Sequence, residues 1–141
     1  MTLIDRLSKL EGPDREVDAE IAIHLLGYTR VNRMEKWPEA QPIWDFYEGD
    51  PLNSNGALIQ PFTASVDAAI ALAERVLPGY SRIMWEHPGE CHVDMFKLGE
   101  LQKLPDGRLH KERYNLVQVE QAPTLAIALC IAILRAKEAS A

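Results

Sequence analysis

Two stretches of this 141-residue chain hold the side chains best able to do chemistry. The first is His87-Pro88-Gly89-Glu90-Cys91-His92-Val93-Asp94, which packs two imidazoles, a thiol and two carboxylates into eight residues. Such a set suits zinc, or a thiol nucleophile with an imidazole base. Zinc sites are usually announced by paired C-x-x-C or by H-E-x-x-H, and neither occurs here. The strand period also divides the set, because His92 and Asp94 share one face of an extended segment and Cys91 points to the other. The expectation is a surface hairpin with a half-buried Cys91 and no metal. As a nucleophile, Cys91 would need His87, His92 or His110 brought up by the fold. Cys130 lies among apolar neighbours and reads as packing. G-x-S-x-G, S-x-x-K, the P-loop and G-x-G-x-x-G are all absent, so no enzyme class or cofactor has a motif behind it.

The second stretch is Phe62-Thr63-Ala64-Ser65, placed just before a helical stripe. Free backbone N–H groups and a hydroxyl at a helix start can hold an anion, although a plain N-cap has the same pattern. Aromatic groups able to stack on a base are Trp37, Trp44, Phe62, Tyr80 and Trp85. Arginines able to pair with phosphate are Arg30, Arg33, Arg82, Arg108 and Arg113. From these the candidate ligand-binding set is Phe62, Thr63, Ser65, Arg82, Trp85, Arg108 and Arg113.

Charge narrows the partners. Fifteen Lys and Arg against 21 Asp and Glu leave a net charge of −6, which disfavours duplex nucleic acid and anionic membranes. A small anion held by local donors remains compatible, and Arg108 to Arg113 is the one locally positive stretch. Two cysteines are too few for a disulfide scaffold, and the N-terminus lacks the order of a secretory signal, so a cytoplasmic setting is expected. The apolar run Leu125 to Leu134 is about half of what a bilayer span needs.

The elements that must position these groups follow from period and punctuation. Thr2 with Asp5 forms a capping box ahead of Leu3, Ile4, Leu7 and Leu10, and Gly12-Pro13 ends that helix. Asp14 caps a second helix over Arg15 to Leu26 closed by Gly27, whose acids Asp14, Glu16, Asp18 and Glu20 read as a solvated, dipole-matched face. Strands are expected at Tyr28 to Val31 and, after Pro38 and Pro42, at Ile43 to Tyr47, followed by a long loop from Glu48 to Pro61. Ser65 caps a helix stopped by Pro78-Gly79. Tyr80 to Glu86, Cys91 to Leu98 and Tyr114 to Val119 read as a three-strand meander. Pro123 opens the last helix, which runs to about Lys137 and is apolar on nearly every side. A helix of that kind must be covered on more than one side, which predicts a homo-oligomer. Together these give one α+β domain over residues 1–141, an antiparallel sheet of about five strands sandwiched by helices (an α-β-α sandwich) in the order ααββαβββα.

Three stretches in this order carry a family resemblance: Gly12-Pro13-Asp14-Arg15-Glu16-Val17-Asp18-Ala19-Glu20-Ile21-Ala22, then Phe62-Thr63-Ala64-Ser65-Val66-Asp67-Ala68-Ala69, then Ala122-Pro123-Thr124 through the Ala-Leu-Cys-Ile-Ala-Ile-Leu-Arg-Ala run ending at Ala136. They resemble the phage ABA sandwich domain family across nearly the whole chain. The resemblance implies helices on both faces of an antiparallel sheet. It also implies a likeness to Thoeris anti-defence sponges, non-enzymatic oligomers that sequester cyclic ADP-ribose-type or cyclic nucleotide signals in the host cytoplasm. The alternative is a phage accessory protein that acts through protein–protein contact with no small ligand.

Overall fold

The computed structural model describes residues 1–32, 44–52 and 56–140. Arg33, Trp37, Pro38, Pro42, Ile43 and Asn53-Ser54-Asn55, which the sequence reading uses, lie outside them. The elements run α1 (Leu3–Ser8), α2 (Arg15–Leu26), β1 (Tyr28–Asn32), β2 (Trp44–Glu48), β3 (Gly56–Ala57), α3 (Val66–Val76), β4 (Tyr80–His87), β5 (Glu90–Lys103), β6 (Leu109–Ala122) and α4 (Leu125–Ala139). The fold is an α+β sandwich, with six described strands where about five are expected. The extra strand is β3, a two-residue pairing with β2 inside the expected long loop. The strands divide into two antiparallel sheets, β1-β2-β3 and the meander β4-β5-β6.

Local chemistry sets the helix limits. Thr2 and Asp5 exchange hydrogen bonds as a capping box, yet α1 stops at Ser8, before the Gly12-Pro13 expected to end it. Asp14 Oδ1 accepts from the N–H groups of Glu16 and Val17, and Gly27 closes α2 at φ 69°, a left-handed conformation glycine adopts without a Cβ penalty. Ser65 caps α3 by accepting from Ala68 N. For α4 the cap is Thr124, accepting from Ile127 N; Pro123 therefore sits outside the helix that it is expected to open.

The core is built around α4. One side of α4 packs on β5 and β6, and other parts of its surface meet α1 and α3. Ten of its residues, Ala126 through Leu134 and Ala136, are buried within this single chain. The apolar helix thus needs no second subunit to cover it, which removes the sequence-based reason for an oligomer. Cys91, Val93, Met95 and Val119 project from the sheet into the same core.

A buried polar cluster fixes α2 to the turn before α3. Asp18 is 1% exposed and Thr63 0%, so Asp18 is no part of a solvated acidic face. Asp18 Oδ1 accepts from both the Thr63 N–H (2.7 Å) and the Thr63 hydroxyl (2.8 Å). Thr63 Oγ1 in turn accepts from Asp14 N at 2.9 Å. The other acids of α2 form surface ion pairs, Glu16 with Arg30 and Glu20 with Arg6. Cys130 on α4 donates its thiol to the Phe62 carbonyl at 3.4 Å, joining the same turn to the central helix.

Replacing Thr63 by Val keeps its shape but leaves Asp14 N–H and one bond to Asp18 unmet, so Thr63→Val is expected to lose about 1–3 kcal/mol. Thr63→Ser, which keeps the hydroxyl, is expected to lose less. Urea denaturation of both variants checks this; equal losses would remove the hydroxyl from the account.

Candidate functional site

Since α2 and the 59–63 segment are pinned together, the space between α2 and the small sheet is defined by the same cluster. It forms a cleft of about 530 Å³ lined by Arg15, Glu16 and Ala19 of α2, by Asp45, Phe46 and Tyr47 of β2, and by Gly56 through Ile59. Arg15 is the first residue of α2. Its guanidinium donates to Asp18 Oδ2 at 3.0 Å and to the Ile59 carbonyl at 2.7 Å, while the side chain stays 63% exposed. Two of its bonds fix its plane and the outer edge faces solvent, the arrangement that suits a guanidinium to recognise a phosphate or carboxylate. Phe46 lies opposite Arg30 in the β1–β2 register, and the Arg30 guanidinium stands 5.9 Å from the Phe46 ring centroid while pairing with Glu16 at 2.7 Å. A flat aromatic wall beside an oriented cation can hold a planar anionic molecule.

The His/Cys stretch behaves differently. It borders a second hollow of about 500 Å³ with Glu86, Pro123 and Thr124. Its strand period separates the groups, with Cys91 buried in the core and His92 on the outer face, where its ring stacks on Trp85 at 4.7 Å. His92 Nε2 also lies 3.3 Å from Glu90 Oε2. Burial, with Glu86 nearby, pushes the Cys91 thiol up. Among the described residues no three of His, Cys, Asp and Glu converge on a common point. Cys130 is pushed up to about 12, first by burial and then by the charge of Asp18. Both thiols are thus held protonated and poorly nucleophilic at neutral pH.

The seven candidate ligand residues do not meet. Phe62 and Thr63 are buried, one as core and the other in the Asp18 cluster, so no ligand reaches them without repacking. Ser65 spends its hydroxyl on the α3 cap. Arg82 faces Glu74 on α3 at 3.4 Å. Arg108 belongs to the β5–β6 turn and pairs with Asp106. Trp85 and Arg113 do share the outer face of the large sheet, where the Arg113 guanidinium lies 4.5 Å from the Phe96 ring centroid. The cleft residues Arg15 and Phe46 escape the sequence argument. Arg15 falls within an apparently solvated helix start and Phe46 within a strand, and only pairing across distant segments brings them together. No family model, curated protein or solved structure matches this chain.

Burial of the Cys130 thiol makes the fold sensitive to alkali. Its folded value, about 12, lies above the ordinary thiol value of 9.0, so the stability tied to its protonated form is complete below pH 9 and falls as pH rises toward the folded value. The limiting slope is about 1.4 kcal/mol per pH unit. Cys91 and Tyr28, also raised by burial, act in the same direction. The expected result in urea titrations at a series of alkaline pH values is a stability decline that is shallower in Cys130→Ala than in the parent chain. Parallel declines would contradict the assignment.

Proposed function

We propose that this chain is a non-enzymatic binding protein of phage or prophage type. It takes up a small anionic, nucleotide-like ligand in the cleft between α2 and the β1-β2-β3 sheet. In this reading it acts as a sponge, sequestering a cyclic nucleotide or cyclic ADP-ribose-type signal in the host cytoplasm so that bacterial anti-phage defence is not triggered. The observation that carries the reading is the pairing of Arg15, its plane fixed by Asp18 and the Ile59 carbonyl, with the aromatic wall of Phe46 in one cleft. The cleft volume lies in the range of roughly 300–1,000 Å³ common for small-molecule sites. The α+β fold class agrees with this reading, which also draws on the resemblance to the phage ABA sandwich family. In this reading the cleft's contribution is retention: stacking supplies affinity and the guanidinium selects negative charge.

The test is the melting temperature of the purified chain with cyclic dinucleotides, cyclic trinucleotides and cyclic ADP-ribose isomers. Mass spectrometry then analyses what heat denaturation releases. One ligand class is expected to raise the melting temperature and to be recovered intact. Because stacking on an aromatic ring is worth about 1–3 kcal/mol per base, Phe46→Leu is expected to weaken binding about fivefold or more. A chemically altered ligand would show an enzyme, and no shift with any of these compounds would overturn the sponge reading.

A further inference from the structure

The outer face of the β4-β5-β6 sheet, turned away from α4, gathers most of the exposed large apolar side chains among the described residues. Cross-strand partners share a face, and the register pairs Trp85 with His92, Ile83 with Asp94, Asp94 with Gln118, Leu98 with Arg113, Leu101 with Lys111, and Lys103 with Leu109. Trp85, Ile83, Leu98, Leu101, Leu109 and Leu116 thus lie on one outer side of the sheet, where Phe96 is buried beneath the Arg113 guanidinium. Six of these residues, Ile83, Trp85, Leu98, Leu101, Leu109 and Leu116, are large hydrophobics that stand exposed. Exposed apolar surface gathered on one side marks a contact face.

The surface extends beyond the body of the protein. β4 has eight residues, whereas β5 and β6 have 14 each, and β4 pairs with β5 only as far as Lys97. From there to the Pro105-Asp106-Gly107 turn the β5–β6 hairpin is a two-stranded arm. Tyr114 braces its base by lying across Gly99, where a Cβ would meet the ring at 2.6 Å. Two-stranded hairpins without a covering layer are marginal in water.

Charge along this face specifies the occupant. At the arm end the face carries Lys103, Lys111 and Arg113; at the opposite end it carries Glu90, Asp94 and Glu120. Over the whole arm, residues 97–113, five Lys and Arg stand against three Asp and Glu, while the rest of the chain holds ten against eighteen. A surface that is basic at one end and acidic at the other, with apolar side chains interleaved along its length, is complementary to itself after a two-fold rotation, which is the condition for an isologous dimer. We infer that two copies of this chain pack outer face to outer face. Each basic arm lies over the acidic end of its partner's sheet, and the apolar side chains are buried between them. The inference is independent of the cleft and its ligand.

The test is the mass of the full chain by sedimentation velocity over a concentration series. The parent is expected at twice 15.9 kDa. Lys111→Glu alone and Glu120→Lys alone are each expected to weaken self-association tenfold or more by placing like charges together, and the double reversal is expected to recover it. Leu98→Glu is expected to give a monomer, with circular dichroism confirming that the exposed substitutions leave the fold intact. A parent that stays at 15.9 kDa at high concentration would overturn the inference. So would a dimer indifferent to all four variants, or one in which the double reversal fails to recover association.

Discussion

A single buried carboxylate sets much of this fold. Asp18 lies in the interior on α2, where an unpaired charge would be costly, and it is answered by the N–H and hydroxyl of Thr63 and by the Arg15 guanidinium. The two bonds from Thr63 bridge segments more than forty residues apart. They set α2 against the 59–63 turn, and the Cys130 thiol carries the connection on to α4. The small sheet follows α2 through β1, so the cleft inherits its position from this cluster. Arg15 has two duties: it compensates Asp18, and it presents a guanidinium of fixed plane to the cleft.

The second constraint is the burial of α4. A helix apolar on all sides either recruits a partner or sits at the centre of its own chain, and here it sits at the centre, between the large sheet and the shorter helices. That choice consumes one face of the sheet, and among the described residues no helix lies against the other. The need for cover therefore moves from α4 to the outer face of β4-β5-β6.

Much of the architecture was legible in the residues because it rests on local chemistry. Asp14, Ser65 and Gly27 mark helix ends through their own hydrogen bonds or backbone angle, and the meander shows as alternation between turns. What escaped depends on distant pairing. The β5–β6 arm was invisible because its strands alternate weakly between leucines and charged groups. β3 escaped because two residues carry no period. Asp18 looked like one more acid at a helix start until Thr63 came up against it, and Phe62 and Thr63 looked available to a ligand for the same reason. The cleft assembles Arg15 and Phe46 from segments whose patterns, taken singly, describe only a helix start and a strand.

The most direct test of the central claim, that Asp18 and Thr63 act as one unit holding α2 to the turn before α3, is a double-mutant cycle. Asp18→Asn, Thr63→Val and the double variant are compared with the parent chain by urea denaturation. Groups sharing a buried hydrogen-bond network couple by roughly 0.5–3 kcal/mol, so the double variant is expected to lose clearly less stability than the two single losses added together. Additive losses would show that the two side chains act separately and would contradict the account.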